Sequence, residues 1–255
     1  MKVNEINNIV NDGVERVTPL YLGRSVDKGE NIVVDLDKYG SALVIGGCGT
    51  GKTWFVYNVV KNLIHFNESE DVDIRIHDPY FKWRSEELQE IKNKEHVTSI
   101  IDGNTLDFAI GIRELYEETL EREYNIEGKK QGEKLKPIYF IFDEMISTLE
   151  TVEKELGKKK REEVEYKIAE VVKRGKAVGV RVIIVSQESV ELIKKLRDVG
   201  CISWEYITKT GHEANWNEVC GGEGDKYPVN TRVGMGYFKR NEFKETEVEL
   251  VNTVL

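Results

Sequence analysis

At 255 residues the chain suits one α/β domain with short appendages, with interior enough to fold unaided. Its three cysteines, Cys48, Cys201 and Cys220, lie far apart with no C-x-x-C pair, so neither a zinc site nor a disulfide framework is suggested, and a reducing cytosol fits. A net charge of −9 counts against a nucleic-acid binder without excluding one, and no apolar run approaches the ~18 residues of a membrane span.

Residues 1–16 show little periodicity and no signal-peptide core; they read as an N-terminal arm, mobile or docking a recruiting protein, ahead of a single domain over 17–255. From Thr18 two short strand-like runs surround the turn Asp27 to Gly29, a hairpin. Ser41 to Phe66 then reads as buried strand, glycine-rich turn and amphipathic helix. Within it Gly46, Gly51, Lys52 and Thr53 form G-x-x-x-x-G-K-[ST], in the strand-to-helix context that the motif needs. Gly46, Gly47, Gly49 and Gly51 let backbone N–H groups turn inward around a polyphosphate. Lys52 would reach the β- and γ-phosphates, and the Thr53 hydroxyl, at the positive end of a helix, would ligate Mg²⁺. The candidate nucleotide-binding segment is therefore Gly46, Gly47, Cys48, Gly49, Thr50, Gly51, Lys52, Thr53 and Trp54, with ATP and Mg²⁺ as cofactors.

A second strand, Val72 to His77, ends in Asp78-Pro79. A charged helix (Ser85 to Lys92), a strand (Val97 to Ile101), a long helix (about Asn104 to Tyr124) and an exposed loop (125–136) follow. IYFIFDE, residues 138–144, is five apolar residues closed by two carboxylates, the pattern of a central parallel strand delivering acids to its C-terminal end. Asp143 is assigned to Mg²⁺, and Glu144 to orienting and deprotonating the attacking water.

Residues 150–176 carry a thin apolar stripe in a run of charge, predicting helices interrupted near Gly157. Lys158, Lys159, Lys160 and Arg161 there form either a solvated helix face or a contact to phosphates. VRVIIVSQ, after Gly179, is another buried strand. Its closing Gln187 either hydrogen-bonds the γ-phosphate or the attacking water, or caps the next helix (Glu188 to Arg197). A strand over 201–207, a short helix around 215–220, a Gly-rich turn and two extended runs complete the chain. The four histidines have no metal spacing, and His77, near a strand end, reads as structural before functional.

The order of these pieces resembles the motor domain of the FtsK/SpoIIIE DNA translocases, within the HerA–FtsK group of RecA-like ATPases. The resemblance covers about Leu20 to Phe238 and rests on LGRSVDKGENIVVDLDKYGSALVIGGCGTGKT, HDPYFK, IYFIFDE, KAVGVRVIIVSQ and GGEGDKYPVNTRVGMGYF. It implies a RecA-like P-loop NTPase: a mostly parallel sheet flanked by helices, with an N-terminal hairpin and a C-terminal strand extension. It implies further a homo-oligomeric ring, a hexamer, with ATP between subunits and double-stranded DNA in the channel. Lys52 and Thr53 match the family's Walker A, Asp143 and Glu144 its Walker B, and Gln187 its sensor glutamine. Where relatives carry an arginine acting in trans on a neighbour's ATP, this chain has Lys176 with Arg174 nearby, and a second family arginine is replaced by Asn217. Lacking membrane segments and a winged-helix reader, it looks like a cytoplasmic plasmid, conjugative-element or viral ATPase. A secretion ATPase moving polypeptides and a non-catalytic nucleotide-dependent assembly module are the rival expectations.

Overall fold

The computed structural model describes residues 19–26, 28–29, 31–36, 38–80, 90–91, 93–126, 135–209, 216–222, 224, 235–242 and 245–252. The N-terminal arm, most of the helix expected at 85–92, the centre of the loop expected at 125–136 and most of the turn-rich run after Cys220 lie outside them.

The described strands are β1 (Pro19–Ser25), β2 (Asn31–Asp35), β3 (Ala42–Ile45), β4 (Asp73–Asp78), β5 (Val97–Asp102), β6 (Ile138–Phe142), β7 (Val180–Ser186), β8 (Trp204–Thr208), β9 (Met235–Glu242) and β10 (Glu245–Asn252). The helices are α1 (Lys52–Phe66), α2 (Thr105–Ile126), α3 (Met145–Leu156), α4 (Lys158–Gly175), α5 (Glu191–Asp198) and α6 (Trp216–Val219), with a 3₁₀ turn over Lys176–Val178. The strands join into one sheet in the order β2-β1-β10-β9-β8-β3-β7-β6-β4-β5. From β8 to β5 the pairing is parallel, and from β8 to β2 it is antiparallel.

Every residue of β3, β6, β7 and β8 is buried, as expected for strands covered on both faces. Alternation along a strand sends neighbours to opposite faces. Leu43, Ile45, Phe140, Phe142, Val182 and Ile184 therefore pack with α2, α3, α4 and α5. Ala42, Val44, Tyr139, Ile141, Ile183 and Val185 pack with α1 and with Leu20, Leu22, Ile32 and Val34 of the β1–β2 hairpin. The hairpin thus shares its core with the α1 layer. Phe55 of α1 stacks flat on Tyr206 of β8, ring centroids 3.9 Å apart, which ties the helix after the glycine-rich turn to the sheet.

Gly157 divides α3 from α4 as its position in the charged run predicts. Two starts differ from the sequence reading by three residues. The helix after Gln187 starts at Glu191, not Glu188, because the Ser186 hydroxyl donates to Glu188 O (2.7 Å) and Val190 is extended at the N-cap. The following strand starts at Trp204, not Cys201, because Cys201 N–H closes the end of α5 on Leu196 O (3.0 Å).

Gly175, the last residue of α4, has no room for a side chain, since a Cβ there would lie 2.3 Å from Val180 O. Gly175→Ala should destabilise the fold by about 1–3 kcal/mol, the usual cost of overpacking, measured by thermal denaturation.

Candidate active site

Adjacent pairing of β3, β7 and β6 brings the glycine-rich turn, Gln187 and the Asp143-Glu144 pair to one edge of the sheet. Ile45 lies opposite Ser186, and Phe142 opposite Ile184. Gly46 N–H continues the ladder by donating to Ser186 O (3.2 Å), and Gly47 N–H donates to Lys209 O at the end of β8 (2.8 Å).

At Gly46 φ is +149°, and a Cβ would fall 1.9 Å from Thr208 Oγ1 and 2.7 Å from Thr208 O. Only glycine lets the turn lie this close to β8. The Thr208 hydroxyl sits 2.6 Å from that of Thr50, which donates to Gly47 O (2.8 Å). Thr208 is a supporting residue that no motif marks, since it becomes adjacent to the turn only through strand pairing. Lys52 is buried, and its ammonium donates to Gly46 O and Gly47 O, both at 2.7 Å, so it spans the turn from inside. Gly51, with φ +99°, opens α1, whose first turn has no acidic residue, leaving the positive helix end open to an anion. Thr53 is half-buried in that turn. Cys48, Gly49 and Trp54 are exposed, the Trp54 ring edge-on to Tyr57 at 5.5 Å.

Across β7, Asp143 and Glu144 are both buried. Among the described residues Glu144 is the one non-glycine with positive φ (φ 52°, ψ 54°). A side chain in this left-handed region costs about 1–2 kcal/mol, so surrounding contacts must hold it there. Gln187 Nε2 donates to Glu144 Oε2 at 2.9 Å, so the amide joins the carboxylate and does not cap α5. Glu144 O accepts from Thr148 N–H, from the Thr148 hydroxyl (3.0 Å) and from the Ser147 hydroxyl (3.1 Å). His77, at the end of β4, places Nε2 3.1 Å from Thr148 Oγ1 and packs against Phe108 and Phe142, ring centroids 4.3 and 5.6 Å away. Burial pushes the His77 imidazole down to about 4, against the opposing pull of Ile101 O and the Asp102 charge.

Other sequence-marked residues lie elsewhere. Arg174 donates to Glu170 (2.7 Å) and Glu123 (2.8 Å), which raise its pKa further. Lys176 packs on Gly40, before β3, at the sheet edge opposite this chain's own glycine-rich turn. Asn217 accepts from Gly224 N–H (3.0 Å), a turn contact. Within the basic cluster Lys158 pairs with Glu162, Lys160 with Glu163, and Arg161 with Glu153 and Glu165. Lys167 and Lys160 together hold the Glu163 carboxyl down at about 2. Lys159 makes no ion pair among the described residues.

Among the described residues no group of three or more His, Cys, Asp or Glu side chains is arranged around a metal. A magnesium ion does not require one: it takes one or two protein oxygens and fills its octahedron with water and phosphate, and the Thr53 hydroxyl and Asp143 carboxylate are hard donors of this kind.

No family model matches the sequence, and no curated protein matches it. Solved structures do resemble the fold. EccC (ATPases 2 and 3) of Thermomonospora curvata, in complex with a signal sequence peptide, has a TM-score of 0.69 at 13% identity over 97% of this chain. The pCW3 conjugation coupling protein TcpA, a monomer form with ATPγS, has a TM-score of 0.67 at 16% identity over 95% of this chain and 68% of its own. VirB4 of Thermoanaerobacter pseudethanolicus has a TM-score of 0.59 at 11% identity over 96% of this chain and 98% of its own. The fold is that of the RecA-like P-loop ATPases. This chain spans 42% of that EccC chain and 27% of the longer EccC cytoplasmic domain. No helix among the described residues is long and apolar enough to cross a membrane.

The depressed His77 carries a pH signature. An unfolded histidine titrates near 6.5 and the folded one near 4, so between these values the unfolded state binds more protons and stability falls as pH falls. The slope from this residue should reach about 1.4 kcal/mol per pH unit in that window and vanish above it. Denaturant titrations of wild type and His77→Phe across pH 4–7 measure it as the difference between the two curves.

Proposed function

We propose that this chain is an ATP-hydrolysing motor of the FtsK/HerA kind that moves double-stranded DNA through a homo-oligomeric ring, a hexamer. The observation that carries it is the 2.9 Å bond from Gln187 to Glu144, made at the sheet edge that also bears the Lys52 turn. A buried carboxylate and an amide meeting at that edge support a role in holding a water for attack on a terminal phosphate.

In this reading the turn from Gly46 to Thr53 cradles the β- and γ-phosphates through its N–H groups. Lys52 exchanges its bonds to Gly46 O and Gly47 O for phosphate oxygens, two acceptors of one charge-assisted kind replacing two others. Trp54 stands at the rim of the bound nucleotide. Thr53 and Asp143 would hold Mg²⁺, which would supply neutralisation of the phosphate charge. Glu144 orients and deprotonates the water, and Gln187, already bonded to it, senses whether the γ-phosphate is in place. Lys176 or Arg174 would act on a neighbouring subunit's nucleotide, and the position of Lys176 at the far edge of the sheet from this chain's own turn supports action in trans rather than in cis. Residues 1–16 recruit a protein partner, and the setting is cytoplasmic transfer or packaging of plasmid, conjugative-element or viral DNA.

A polypeptide cargo is the second reading, and the ion pairs of Lys158, Lys160 and Arg161 favour it, because cations neutralised within the chain have less to offer phosphates. Two solved proteins of this fold mark the alternatives, a conjugation coupling protein and an ATPase seen with a signal sequence peptide.

Steady-state hydrolysis of Mg-ATP, with and without duplex DNA, tests the proposal. Glu144→Gln should lower kcat at least ~100-fold while ATP still binds, and Lys52→Ala should abolish binding of ATP. Duplex stimulation that weakens steeply between 50 and 200 mM salt supports DNA as cargo. Stimulation by peptide in place of duplex supports the second reading, and absence of multiple turnovers leaves a non-catalytic assembly module.

A further inference from the structure

The contacts behind Glu144 form a chain that catalysis as described above does not use. The Thr148 hydroxyl lies 3.0 Å from Glu144 O and 3.1 Å from His77 Nε2, so when its one proton goes to Glu144 O, a His77 Nε2–H donates to Thr148 Oγ1. His77 is 1% exposed, its ring held between Phe108 and Phe142. The carbonyl at the end of this chain belongs to the residue whose backbone is left-handed. On the other side of that residue, Asp143 N–H is bonded to His77 O (3.3 Å). The end of β4 thus grips the Asp143-Glu144 segment from both directions, once by its backbone and once by its ring through Thr148.

We propose that His77 and Thr148 are positioning residues, a buried polar strut that keeps the Glu144 backbone in the left-handed conformation from which its carboxylate meets Gln187. The effect on turnover rests on the ATPase reading; the effect on the backbone does not.

Two measurements test it. The first compares melting temperatures of Glu144→Gly and Glu144→Ala, which both lack the carboxylate and differ in their tolerance of positive φ. In the wild-type background the glycine variant should melt about 2–4 °C above the alanine variant. With Thr148→Val added, the backbone is released, and that advantage should shrink to less than half. An undiminished advantage overturns the strut. The second measures Mg-ATP turnover: Thr148→Val and His77→Phe should each lower kcat about 10- to 100-fold with the Kd for ATP within twofold of wild type. The double variant should fall no further than the lower single, and Thr148→Ser, which keeps the hydroxyl, should stay near wild type. Unchanged kcat in Thr148→Val overturns the link to catalysis. A wild-type protein without turnover refutes the ATPase reading instead, and the melting comparison then decides the strut by itself.

Discussion

Parallel pairing of β3, β7 and β6 is the constraint from which the site follows. Parallel strands end on the same side, so whatever residues come after their last apolar positions are delivered to one edge within two strand spacings, ~10 Å. In this chain those residues are the glycine-rich turn, Gln187 and the Asp143-Glu144 pair. The rest of the architecture serves to keep these three strands dry on both faces: α2 to α5 on one side, α1 and the N-terminal hairpin on the other. A buried carboxylate is tolerated at that edge because a neighbouring strand supplies an amide donor.

Much of this was legible in the sequence, for local reasons. The turn announces itself by four glycines and Gly-Lys-Thr, and β6 and β7 by continuous apolar runs closed by polar residues. The break at Gly157 is equally plain, a glycine inside a helical charge pattern. What stayed hidden depends on contacts between distant segments. Thr208 looks like any strand threonine until β8 is set beside β3, and Thr148 like any helix residue until Glu144 turns left-handed. The ion pairs that bind Lys158, Lys160 and Arg161 are mostly three or four residues apart and could have been read from spacing; the bonds of Arg174 to Glu123 and of Arg161 to Glu153 could not. Helix α5 began later than its composition suggested because a serine hydroxyl and an extended valine bend the chain first.

His77 shows how little a strand-end histidine reveals of its contacts: the sequence offered neither metal spacing nor, beside an Asp-Pro turn, a partner for it. Burial against Phe108 and Phe142 pushes its pKa down, and only the entry of α3 brings Thr148 within reach. Sequence patterns report what a segment does along its own length. They are silent about a ring that serves a residue on the next strand.

The C-terminal hairpin links the two halves of the sheet, since β9 lies on β8 while β10 pairs with β1 through Arg24–Asn252 and Ser25–Val251. Segments from near opposite ends of the sequence are therefore stitched side by side. During synthesis β1 and β2 emerge long before β10, so the pairing of β1 with β10 waits until that strand has been made. The β9–β10 hairpin lies between β8 and β1 and so joins the parallel strands to the N-terminal pair.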